Sequence, residues 1–107
     1  MGWVKTELEL YKDIDAGTSD VTQSYVPKSG EFFIECIEGE AAFDINCAVE
    51  VLFDGALVWL TKGSSRMDRS LSFTGDATKK VELKLDAIDL ASGSVFLGGY
   101  VLIRQVE

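Results

Sequence analysis

The stretch Asp44-Ile-Asn-Cys-Ala-Val-Glu-Val-Leu-Phe-Asp-Gly-Ala-Leu-Val-Trp-Leu60 decides how this chain is read. Phe43, Ile45, Cys47, Val49, Val51 and Phe53 recur at every second position, the period of a half-buried strand. Asp54-Gly55 then supplies the residues a two-residue type I′ hairpin turn demands, because both central positions need positive φ. A two-residue turn pairs Phe53 with Ala56, Leu52 with Leu57, Val51 with Val58, Glu50 with Trp59 and Val49 with Leu60. The inner face is then Val49, Val51, Phe53, Ala56, Val58 and Leu60, uniformly apolar. The outer face carries Ala48, Glu50, Leu52, Leu57 and Trp59. Three large apolar side chains on a solvent face predict that something covers them: another part of the chain, a second subunit or a ligand.

Working outward, the same alternation predicts a first strand over Val4–Tyr11, a second over Val21–Val26 and a third over Phe32–Glu38. A tight turn at Gly39-Glu40 leads into a long fourth strand, Ala42–Phe53. Ala56–Thr61, Ser70–Thr74, Lys80–Leu85 and Ser94–Arg104 complete eight strands, with no helical periodicity between them. Eight short antiparallel strands in 107 residues predict an all-β fold, a two-sheet sandwich of jelly-roll type in one domain. The pair Gly98-Gly99 reads as a bulge or a close strand contact rather than a binding loop.

The formal net charge of −8 is unevenly spread. Residues 1–55 hold twelve acids against Lys5, Lys12 and Lys28, a net −9, while residues 56–107 come to +1. Such an acidic chain repels nucleic acid, whose binding depends on cations that neutralise phosphate. The asymmetry permits head-to-tail contact between copies, unless the two halves interleave and the charges mix. No apolar run approaches the roughly 18–20 residues of a membrane helix, so no membrane partner is expected. The N-terminus lacks the layout of a signal peptide, which predicts a cytoplasmic or virion protein. Cys36 shares the parity of Phe32 and Ile34, and Cys47 that of Val49. Both read as buried thiols out of register for a disulfide, as in a reducing compartment.

No histidine is present, so no histidine-based triad, general base or zinc site exists. No cofactor is expected. Asp13, Asp15 and Asp20 in one polar stretch have oxygen ligands for Ca²⁺ but not the spacing of an EF-hand, and read as a solvated turn. Asp86 and Asp89 read as turn formers. What remains is a binding surface. Leu52, Leu57, Trp59 and Glu50 form the expected interface or ligand patch, and Lys62, Arg66 and Arg69 a charged contact loop. Trp59 beside Glu50 also has the makings of a sugar platform.

Two segments carry a resemblance: Gly30–Ser64 (GEFFIECIEGEAAFDINCAVEVLFDGALVWLTKGS) and Phe73–Arg104 (FTGDATKKVELKLDAIDLASGSVFLGGYVLIR). The long fourth strand, the Asp-Gly hairpin, the Lys-Gly-Ser loop, Phe-Thr-Gly-Asp before a charged strand and the closing Leu-Gly-Gly-Tyr strand resemble the small jelly-roll and β-sandwich proteins of tailed-bacteriophage particles. The resemblance spans residues 31–104. It implies a non-enzymatic decoration, neck, tail or fibre-attachment component whose partners are copies of itself or other particle proteins. Similar sandwiches also serve as carbohydrate-binding modules, so a glycan is the alternative partner.

Overall fold

The computed structural model describes residues 2–41 and 46–107. Those residues form nine strands: β1 Trp3–Asp15, β2 Val21–Tyr25, β3 Gly30–Ala41, β4 Ala48–Phe53, β5 Ala56–Thr61, β6 Ser65–Met67, β7 Leu71–Gly75, β8 Val81–Asp86 and β9 Ser94–Val106. They make two antiparallel sheets, one of β1-β9-β3 extended by β6 and β7, the other β2-β8-β4-β5. The all-β sandwich expected from the alternation is therefore the fold.

Its topology follows from one turn. Asp54 and Gly55 have φ of 52° and 79°, the left-handed values the hairpin requires. About this turn the chain is a single long hairpin, in which β4 pairs with β5, β3 with β7, β2 with β8 and β1 with β9. Rolling that hairpin adds the pairs β9–β3 and β8–β4 and closes two sheets over one core, the jelly-roll arrangement. Phe32, Phe53 and Phe73 fill one end, with ring centroids 5.1–5.7 Å apart. Gln105 is the buried amide at that end, and its Nε2 donates to the Lys28 carbonyl at 2.9 Å while its Oε1 accepts from the Lys28 N–H.

Three features differ from the sequence expectations. Gly39-Glu40 is no turn: β3 runs through it to Ala41, with Gly39 opposite Gly99, and β3 and β4 lie in different sheets. Of the expected fourth strand, Ala48–Phe53 is strand, and Ala42, Phe43, Asp44 and Ile45 lie outside the described residues. The loop after β5 contains a further short strand, β6, so nine strands replace eight.

The larger correction is register. Phe53 faces Ala56 and Leu52 faces Leu57, as expected, but Val51 then faces Trp59, Glu50 faces Leu60 and Val49 faces Thr61. Val58 is an extra residue on β5, a bulge. One inserted residue reverses the parity of everything beyond it. Trp59 and Leu60 consequently exchange faces. Trp59 packs against the core, while Leu60 is 42% exposed. The cause is size: an indole has far more apolar area to bury than a leucine, at roughly 25 cal/mol per Å². The room comes from Gly39 in the opposite sheet, where an added methyl would lie 3.0 Å from the Trp59 ring and collide with Thr61.

The pair Gly98-Gly99 is a close contact on both faces. Tyr11 lies against Gly98 outside the sheet, and Leu83 and Val49 from the other sheet press on Gly99 inside. This fulfils the reading of Leu-Gly-Gly-Tyr as a tight packing device.

The shifted register is tested by two substitutions in β5. In dilute protein, Trp59→Ala should lower stability by about 3 kcal/mol, seen as a lower urea midpoint, and Leu60→Ala by no more than about 0.5 kcal/mol. A regular hairpin would give the opposite ranking.

Candidate functional site

The expected apolar patch survives in altered form on the outer face of the four-stranded sheet. Leu52 and Leu57 stand opposite each other, and Leu60 replaces Trp59 beside Glu50. Leu57 is 55% exposed and Leu52 half-buried. The patch spans β4 and β5, and among the described residues β5 pairs only with β4 and is thus an edge of its sheet.

Glu50 is the polar neighbour of that patch. It faces Lys84 on β8, whose Nζ is 3.9 Å from Glu50 Oε2. That oxygen is buried and has no hydrogen-bond partner among the described residues. Burial pushes the Glu50 carboxyl above its ordinary range, against the pull of Lys84, and nearby Asp86 adds to the rise. Asp86 also accepts the Ile88 N–H at 2.9 Å, the turn chemistry expected of it.

The charged loop does not form one basic surface. Arg66 lies in β6 opposite Glu38 and binds it at 2.6 Å, with Asp68 at 2.8 Å. Lys62 and Arg69 are exposed on either side of β6. The segment shields Cys36. A bulge in β3 between Ile34 and Cys36 turns Cys36 toward the outer face with Leu102, reversing the parity read from the sequence. Burial and a hydrogen bond with Asp68 raise its thiol pKa, against Arg66. Both cysteines are buried and outside any disulfide, as expected. Asp13 and Asp15 belong to β1, opposite Phe96 and Ser94, rather than to a loop.

Sequence reasoning missed the outer face of the five-stranded sheet. Its β1 positions, Lys5, Glu7, Glu9 and Tyr11, are visible in the alternation, but their neighbours come from β9 and β3. At one end the Arg104 guanidinium lies 3.9 Å from the Trp3 ring centroid and 5.3 Å from that of Phe33. Its Nε donates to Glu35, the bulge residue, at 2.5 Å. At the other end Tyr11, Glu38, Glu40, Ser65 and Arg66 line an open groove of about 390 Å³. Burial and the carboxylates of Glu38, Glu9 and Glu40 hold the Tyr11 hydroxyl above its usual pKa. Tyr100 is raised likewise, by burial and then by Glu7. The signal was present in the nested pairing: counting back from Asp54-Gly55 sets β9 beside β1.

No protein-family model matches the chain, and no curated protein matches it in sequence. Among solved structures it is similar to PliG of Aeromonas hydrophila, a periplasmic lysozyme inhibitor of g-type lysozyme. The identity is 15% and the TM-score 0.47, over 91% of this chain and 85% of that one. A likeness so distant carries no function across. Among the described residues no helix is long and apolar enough to cross a membrane.

The raised Glu50 pKa has a definite sign for stability. A carboxyl that holds its proton more tightly when folded costs stability as pH rises through its unfolded and then its folded pKa. Glu50→Gln should therefore raise the urea midpoint at pH 7. The advantage should disappear below pH ~4, under the ordinary carboxylate range, when the midpoints are compared across pH.

Proposed function

We propose that this chain is a non-enzymatic structural protein that assembles through β5 with copies of itself, as a component of a larger particle such as a phage virion. One observation carries the reading: among the described residues β5 is a sheet edge that bears no charge and exposes two leucines, Leu57 and Leu60. Unpaired strand edges invite further strands, and proteins guard them with charged residues, prolines or bulges. Two other edges carry such guards, while β2 and β7, also uncharged, expose only polar side chains. The β1 edge carries Lys5, Glu7, Glu9, Lys12, Asp13 and Asp15, and β6 carries the Arg66 ion pairs. By contrast, β5 reads Ala-Leu-Val-Trp-Leu-Thr, with Leu57 and Leu60 exposed on its outer face. Its bulge buries Trp59 without placing a charge at the edge.

A second copy meeting β5 about a two-fold axis would continue the four-stranded sheet and cover Leu52, Leu57 and Leu60. The same surface suits another particle protein that offers an open strand. Neither nucleic acid nor a membrane suits a chain of net charge −8 with this patch. The alternative, a carbohydrate-binding module built on Trp59, loses its platform, because that ring is turned toward Gly39.

Light scattering on a sizing column at low and high salt tests the assignment. A discrete oligomer that persists in salt is expected, since the contact is apolar. The double variant Leu57→Glu/Leu60→Glu should elute as a folded monomer. A wild-type monomer at high concentration would rule out self-assembly through β5.

A further inference from the structure

The Trp3 end of the five-stranded sheet has the features of a ligand site. Lys5 on β1 stands directly opposite Arg104 on β9, and both project outward. Like charges in that relation repel, and a protein with eighteen acids has little need to juxtapose two of its ten cations. Glu35 answers one of them, through Arg104 Nε. Lys5 makes no ion pair or hydrogen bond among the described residues, and the other N–H groups of Arg104 are likewise unspent there. The guanidinium is nonetheless held in place between Trp3 and Phe33, whose centroids are 6.0 Å apart. A fixed cation with unused donors is prepared for an anion, because little order must be gained on binding.

The surroundings narrow the anion's chemistry. Trp3, Lys5, Glu35, Leu102 and Arg104 line an open groove of about 470 Å³. Trp3 remains 47% exposed although Arg104 stacks on it, so aromatic surface is available beside the charges. Glu35 adds a carboxylate that accepts hydrogen bonds from hydroxyls. An anionic group, a ring face and hydroxyl donors together describe a carboxylated sugar. We infer that this groove binds a uronic acid or similar carboxylate-bearing pyranose, its carboxylate between Lys5 and Arg104, its ring against Trp3 and a hydroxyl on Glu35. The site lies on the sheet opposite to β5 and does not depend on whether copies assemble.

Titration of the ¹⁵N-labelled protein with tetragalacturonic acid, followed by NMR, tests the inference. Saturable shifts are expected at the Trp3 indole N–H and Arg104 Nε, with the Trp59 indole unmoved. The fully methyl-esterified tetrasaccharide should bind at least about tenfold more weakly. Lys5→Gln, at an exposed position without a partner, should keep the folded spectrum and weaken binding to a similar degree. Arg104→Gln should abolish it. Absence of saturable binding, or binding indifferent to Lys5→Gln, overturns the site. Equal binding of tetraglutamate overturns the sugar in favour of acidic polypeptide, and equal binding of inorganic phosphate reduces the groove to a general anion contact.

Discussion

The Asp54-Gly55 turn is the constraint on which the rest of this molecule depends. Two consecutive residues with positive φ reverse the chain within two residues. The four strands before the turn can then pair in order with partners after it, β4 with β5 out to β1 with β9. Each outer pair joins segments farther apart in sequence than the last, so each is entropically easier to close once the pair inside it exists. The final pair, Trp3 with Val106, brings together almost the two ends of the chain. Moving the turn by one residue would change the parity of strands throughout both sheets.

The nested pairing also explains the lopsided charge. Every strand before the turn pairs only with strands after it, so the acidic half and the near-neutral half alternate across both sheets. Three cross-strand ion pairs follow this plan: Glu35–Arg104, Glu38–Arg66 and Glu50–Lys84, each an acid before the turn and a base after it. The asymmetry read from the sequence is spent inside the fold rather than displayed as an acidic and a basic side. Exposed pairs of this kind contribute little stability each. Their larger effect is on register, since a slip by one residue would move each acid away from its base.

Period-two alternation made the strands legible, and Asp-Gly made the central hairpin legible. The bulges were not. Val58 and Glu35 look like ordinary members of regular strands, and nothing local marks either as an extra residue. What selects them is tertiary: the Trp59 ring needs the space above Gly39, which β3 supplies from the other sheet. Glu35 is placed beside Arg104, which β9 supplies. One inserted residue in β5 then moved Trp59 inward and Leu60 outward, and a second, in β3, moved Cys36 to the outer face. The candidate surfaces were misread for that reason, although the strands bearing them were largely correct. The Trp3 groove was invisible for a related reason: its residues come from three strands whose adjacency follows from the whole topology.

The bulge in β5 bears on the proposed assembly as well as on folding. A bulge commonly protects an edge by twisting it and interrupting its row of N–H and C=O groups. Here the irregularity is near the Leu52–Leu57 pair, close to the turn, whereas Trp59, Leu60 and Thr61 continue beyond it in regular register with Val51, Glu50 and Val49. The protected part of the edge is thus the part next to Asp54-Gly55. The open part is the one that carries Leu60, next to the half-buried Glu50. A second strand laid along it would remove Leu60 from water and also deepen the burial of the Glu50 carboxylate, whose Oε2 already lacks a hydrogen bond. Apolar gain and carboxylate desolvation therefore oppose each other at the same contact. Since a neutral Glu50 costs less to bury, association through β5 should strengthen as pH falls toward the raised pKa of that carboxyl, the reverse of what a contact built on ion pairs would do.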